Sequence, residues 1–283
     1  MLAEVTAPGQ LLAISHYSHD PAGSSMDLAT ARRFRSVSGT VEEVLALRPD
    51  VVVSGNFDPP ATVAAFARLG LRLEQVPIAP TVDDSKAQVR QLAALAGHPE
   101  RGEALVRRID AALAAAKPAP GAPVAAIVWQ SGGIVPGQGT LIADLLARTG
   151  FTNAAAASGL GQADLLPLEE MIVRPPRVIL AAGNEHANED RLLAHPALSR
   201  LTGTTRARLD PALLWCGGPT IVRAVGRLAE VRRILRDGSS TSSAPPQDER
   251  PHLNPAHPEE RSGLSPERSA GSKAGARLEG RGA

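Results

Sequence analysis

Two short segments of this chain share one order of residue types, and each position of the second lies 127 after its counterpart in the first. The first runs Glu42-Glu43-Val44-Leu45, stops at Pro49 and continues into Val51-Val52-Val53. The second runs Glu169-Glu170-Met171-Ile172, stops at Pro176 and continues into Val178-Ile179-Leu180. Each reads as a short helix with acids in its first turn, where the helix dipole favours them, then a proline stop, then a strand. An apolar run without polar alternation suits a strand covered on both faces, as in a parallel sheet. Any α/β unit shares this order, so the rest of the chain has to support a repeat.

It does so by alternation. Leu11–Ser15 is predicted as a strand. Thr40 caps a helix with Glu43 as its capping-box partner, and Pro49 ends it. A helix over Ala61–Leu69 ends at Gly70, a strand covers Leu71–Val76, and a helix covers Thr81–Ala96 before Gly97. A long Ala-rich helix follows over Pro99–Ala116, with proline suited to its first turn. After the Pro/Gly break at Lys117–Pro123 come strand Val124–Trp129, helix Leu141–Arg148, helix Leu168–Val173 and strand Val178–Ala181. A short helix near Asp190–Ala194, a strand near Ala207–Leu209 and a helix over Pro219–Leu235 complete the ordered part. Strands alternating with helices imply parallel sheets. The expected architecture is α/β: an N-terminal lobe (1–98), a bridging helix (99–117), a C-terminal lobe (118–236), and a disordered tail (237–283) too poor in apolar residues to pack.

Composition narrows the function. A formal net charge of +1 with interspersed signs offers no basic stripe for nucleic acid. No apolar run reaches the roughly 18 residues that a membrane-spanning helix needs. Cys216 stands alone, so no intrachain disulfide is expected. The chain starts Met-Leu-Ala-Glu-Val, without the basic and apolar regions of an export signal.

Aromatic residues make up only 2% of the chain, which makes each one informative. Ligands of open α/β sheets bind beyond the carboxyl ends of the strands. His16, Tyr17 and His19 follow the first strand there, and Asn56, Phe57 and Asp58 follow the second. Trp129 and Gln130 end the first strand of the second half. Asn184, Glu185 and His186 follow Val178–Ala181, and Trp215 precedes Cys216-Gly217-Gly218-Pro219. His16, Tyr17, Asn56, Phe57, Trp129, Gln130, Asn184, Glu185 and Trp215 are the candidate ligand-binding residues, with the aromatic rings as walls of a cleft.

No resident metal or cofactor is expected. His16 and His19 have no second motif to complete a ligand set, although either suits the axial position of a haem-like macrocycle. Ser131-Gly132-Gly133 and Gly137-Gln138-Gly139-Thr140 lack the Lys-Ser/Thr ending of a phosphate loop. Glu42, Glu43, Glu169 and Glu170 are accounted for by their helix starts. There is no nucleophile elbow, and no enzyme activity is expected.

Five segments together resemble the periplasmic-type ABC-importer binding proteins for vitamin B12, haem and iron-siderophores. They are Gly39–Ser54 (GTVEEVLALRPDVVVS), Ala61–Leu71 (ATVAAFARLGL), Gly137–Ala154 (GQGTLIADLLARTGFTNA), Leu166–Glu170 (LPLEE) and Leu214–Pro219 (LWCGGP). The resemblance implies two α/β lobes joined by one rigid helix. It also implies a corrinoid, ferric siderophore or haem held between them, and delivery by a monomeric carrier to a permease driven by a separate ATPase. Corrinoid stands first in that order, siderophore second and haem third.

Members of that family begin with a secretion signal and a further strand, which implies an incomplete N-terminal lobe here. It places the protein outside the cytoplasmic membrane if the native start lies upstream, and in the cytoplasm otherwise. B12 binders carry one acid per lobe for docking on the permease; the matching places here hold Pro60 and Gly217-Gly218, with Asp58 nearby in the first lobe. The competing readings are a truncated or cytoplasmic homologue without transport, and an α/β enzyme component for tetrapyrroles or metal clusters.

Overall fold

The computed structural model describes residues 1–21, 23–183 and 195–238. The helix expected near Asp190–Ala194 and nearly all of the tail lie outside these. The first half runs α1 (Leu2–Val5), β1 (Ala13–Ser15), α2 (Leu28–Ala31), β2 (Arg35–Val37), α3 (Val41–Ala46), β3 (Val52–Gly55), α4 (Pro60–Arg68) and β4 (Leu73–Val76). Helices α5 (Val82–Leu95) and α6 (Pro99–Ala115) follow. The second half runs β5 (Val124–Gln130), β6 (Ile134–Val135), α7 (Leu141–Arg148), β7 (Phe151–Asn153), α8 (Ala154–Ala157), β8 (Asp164–Leu165), α9 (Leu168–Val173), β9 (Val178–Ala182), α10 (Pro196–Ser199), β10 (Thr205–Arg208) and α11 (Pro219–Asp237).

The echo is structural. Helices α3 and α9 occupy the two corresponding stretches, and each is followed by the strand that the sequence implies. β3 pairs in parallel with β4, as β9 does with β10. The environments differ, however. β9 lies inside a four-stranded parallel sheet of order β10-β9-β5-β7, and all its residues are buried. Among the described strands β3 is bonded to β4 alone, and Val52 and Val53 are only half-buried, against the expectation of a strand covered on both faces.

The four-stranded sheet divides its side chains by alternation. Ala126, Val128, Val178, Leu180 and Ala182 face a large core made with α5, α6, α7 and α11. Ile127, Trp129, Ile179 and Ala181 face a smaller one made with α8, α9 and α10. Each fully buried aliphatic side chain contributes about 1.5–3 kcal/mol of transfer free energy. Helix α6, predicted as the bridge, packs on α5, α11 and α1. Val82, Val89, Leu92 and Ala93 of α5 belong to the same core as the second half's sheet. The described residues all belong to one compact unit.

The helix starts follow the sequence closely. Thr40, Thr81 and Thr140 each accept a backbone N–H three residues on. Glu43 reaches further than its expected role as capping-box partner. Its carboxylate reaches past Thr40 to the Ser38 N–H at 2.7 Å and the Ser38 hydroxyl at 2.5 Å, and these bonds hold it below the ordinary glutamate range. Helix α11 runs through Asp237, beyond the predicted Leu235, and stops at Gly238 in the left-handed region.

The start of α5 is clamped to α7. The Val82 N–H donates to Asp144 Oδ2 at 2.8 Å, and Arg148 bridges Asp144 and Asp83 at 2.9 Å each. Lys86 joins Asp83 at 3.1 Å and Asp110 at 3.0 Å. Hydrogen bonds from Lys86 and then Arg148 hold the Asp83 carboxyl below its usual range. A depressed carboxyl stabilises the fold above its unfolded-state value, and this is lost as pH falls through the folded-state value. The expected effect is small because Asp83 is largely exposed. Wild type should therefore melt slightly above Asp83→Asn at neutral pH, and the gap should close in acid below the aspartate range. A pH series of thermal melts checks both the sign and the window.

Candidate functional site

The loops beyond the strand ends carry three of the chain's few aromatic rings. After β1, a 3-10 turn over His16–His19 is fixed by Ser15 Oγ, which accepts the Tyr17 N–H at 3.4 Å. It turns Tyr17 outward, 66% exposed, with its ring centroid 4.1 Å from that of His16. After β3, Asn56 and Phe57 are exposed, and Phe57 is 76% open. The Gln75 side chain, from β4, donates to the Gly55 carbonyl at 3.3 Å and steadies that strand end.

In the second half, Trp215 stands between β10 and α11 with 52% exposure. Asp210 caps the short turn Pro211–Leu213, whose Leu213 is buried, and Gly218 caps α11. The Gly218 N–H donates to Ser85 Oγ at 2.8 Å, so both ends of the Trp215 loop are held. The first half meets this region directly. Arg223, near the start of α11, donates to the Ser25 carbonyl at 2.6 Å, in the loop that leads from the Tyr17 turn into α2. Met1 packs against Gly218.

Trp129 is a correction. It has no exposed surface and lies in the smaller core with Ile127, Leu168, Met171 and Ile179. The strand runs one residue past it, to Gln130, and Trp129 pairs with Ala181 inside the sheet. It is therefore not a cleft wall. Its Nε1 has no hydrogen-bond partner among the described residues. Gln130 ends β5 half-buried opposite Ala182. Asn184, Glu185 and His186 lie outside the described residues.

Two residues escaped the sequence reading. β6 and β8 form a short antiparallel ribbon directly after the β5 end, with Ile134 opposite Leu165. Both side chains are exposed, while Val135 beside them is buried. Strands of two residues leave too short a pattern to detect. An apolar pair left on the outside of the ribbon is the one signal they carry.

The described residues contain no group of three or more His, Cys, Asp or Glu side chains able to hold a metal ion. His19 Nε2 is buried without a partner among them. At these strand ends the exposed rings are those of Tyr17, Phe57 and Trp215, while Asn56 follows β3 and Gln130 ends β5.

Comparison with known proteins agrees with this architecture. The sequence pattern described as "Periplasmic binding protein" matches residues 1–207. No curated protein matches the sequence. Among solved structures, a periplasmic heme-binding protein from Pseudomonas aeruginosa superposes with a TM-score of 0.62 at 23% identity, covering 81% of this chain and 87% of that one. The periplasmic vitamin B12 binding protein of Vibrio cholerae gives 0.61 at 20% identity, covering 80% and 89%. The apo periplasmic heme-binding protein of Roseiflexus sp. RS-1 gives 0.55 at 24%, covering 70% and 80%. At these identities the likeness carries the fold. No described helix is long and apolar enough to cross a membrane.

Proposed function

We propose, from the premise that this chain belongs to the periplasmic binding protein family, that it captures a broad, flat metal chelate between its two halves. The family and the solved neighbours are binding proteins for transport, not enzymes. In this reading the chelate is a corrinoid, a ferric siderophore or haem. The protein works outside the cytoplasmic membrane and passes its cargo to a permease driven by a separate ATPase. Residues 1–98 and 118–236 are the two lobes, joined by the helix at 99–117. Because α5 of the first lobe is seated in the second lobe's core, lobe motion is small.

One observation carries the reading. In a chain with two Trp, one Tyr and four Phe, the three largely exposed rings of Tyr17, Phe57 and Trp215 all stand on loops beyond strand ends, and they come from both halves. Exposed aromatic rings offer large apolar contact and stack on flat π systems. Loops already tied by hydrogen bonds lose little entropy when a ligand arrives. The heme-binding and vitamin B12 binding descriptions of the solved neighbours make those two ligands the first to try.

The test is a parallel titration of the folded protein with cobalamin, haemin and a ferric siderophore, read by tryptophan fluorescence with absorption corrected. The expected result is saturable quenching by one of them, with a dissociation constant of about 1 μM or lower, equivalent to about 8 kcal/mol. A folded protein that responds to none of the three overturns the reading.

A further inference from the structure

Ser85 has no exposed surface, lies in the first turn of α5, and spends its hydroxyl on a distant loop. Its Oγ accepts the Gly218 N–H at 2.8 Å from 133 positions away in sequence. The neighbouring Gly217 approaches so closely that a Cβ there would stand 2.2 Å from Ser85 Oγ and 3.1 Å from Ser85 Cβ. Gly218 itself has a φ of +62°, in the left-handed region that favours glycine. The two glycines of Trp215-Cys216-Gly217-Gly218 are therefore what lets the loop lie on Ser85. On the other side of Trp215, Leu213 is buried and Leu214 packs on the core. Trp215 and Cys216 form an exposed step between two fixed ends.

Helix α5 also holds the first half. Gln88 donates to the Pro77 carbonyl at 2.7 Å, and Gln91 donates to Glu74 Oε1 at 2.9 Å. These bonds tie α5 to β4 and the segment after it. β4 pairs with β3, whose end carries Phe57. The clamp of Asp83, Asp144 and Arg148 fixes the same turn of α5 on α7.

We propose that Ser85 is the positioning residue of the cleft: its buried hydroxyl sets where the Trp215 ring stands and links that wall to the strand pair that bears Phe57. The assignment rests on reading Trp215 as a cleft wall. Ser85 does not touch the ligand. It acts through the Gly218 amide, which would be left buried without an acceptor if the hydroxyl were removed.

The two tryptophans make the test direct. Trp129 is enclosed and Trp215 is half open, so iodide quenching of the ligand-free protein reports Trp215, and Trp215→Phe identifies the signal. Ser85→Ala is expected to raise iodide access and lower the anisotropy of Trp215 with unchanged far-UV circular dichroism. It should also weaken binding of the ligand found by titration about tenfold. Gly217→Ala should disturb Trp215 in the same way, and by less in the Ser85→Ala background, because the two side chains compete for one space. A folded Ser85→Ala protein with unchanged quenching and anisotropy overturns the assignment. If Ser85→Ala does not fold, an unchanged Trp215 signal in Gly217→Ala overturns it instead. Failure of the wild type to bind cobalamin, haemin or siderophore would defeat the ligand reading, while the ligand-free quenching would still decide Ser85.

Discussion

Replacing Trp129 by Ala is expected to cost about 3–5 kcal/mol of stability, the range for deleting a large aromatic side chain from a packed core. The indole is fully buried on the face of the sheet covered by α8, α9 and α10, and strands β5 and β9 hold it rigidly in the middle of that layer. A cavity of that size cannot collapse without moving the strands themselves. Trp129→Phe should lose about 1 kcal/mol or less, because it keeps most of the ring and removes an N–H that has no partner among the described residues. Urea denaturation with an unchanged m-value separates the two variants. Ligand affinity per folded molecule should be the same in both. An alanine variant as stable as wild type would show that the indole does not fill this core.

That prediction reverses the sequence-level expectation for Trp129, and the reversal has a simple cause. An apolar run does not reveal where its strand ends. Reading β5 as finishing at Trp129 places the ring at the mouth of the sheet; one more residue of strand places it in a layer with Ile127. The exposure of Trp215 has a local cause: it follows directly on the Leu213-Leu214 pair that goes into the core, and Cys216-Gly217-Gly218 then turns the chain into α11. The capped helices were legible for the same local reason: Thr40, Thr81 and Thr140 use their own hydroxyls, so three residues of sequence suffice. Helices α3 and α9 began and ended as their acids and prolines require.

What stayed hidden depends on distant partners. β2 and β7 are three-residue strands, defined by their neighbours β1 and β5 rather than by any run of their own. The half-buried state of β3 could not be read from Val51-Val52-Val53, because the burial of a strand's side chains depends on what distant segments pack on its two faces. The seat of α5 on the second half's core, and the bond from Gly218 to Ser85, join residues far apart in the chain.

Trp215→Ala is expected to weaken binding of the chelate by on the order of a hundredfold, about 3 kcal/mol, as for an aromatic residue at the centre of a contact surface. Its own stability should stay within about 0.5 kcal/mol of wild type, since half of the ring already faces solvent. The variant removes the fluorescent reporter, so the measurement is a titration followed by the ligand's visible absorption, with calorimetry in parallel. Trp215→Phe should recover most of the affinity if stacking on a flat ligand is what the ring provides. The loss should appear in the dissociation rate, because the loop is already in place before binding and the encounter is unchanged. A smaller negative heat-capacity change in the alanine variant would identify the missing term as apolar burial. Unchanged affinity with unchanged stability would remove Trp215 from the proposed site and leave Tyr17 and Phe57, both on the first half, as its exposed rings.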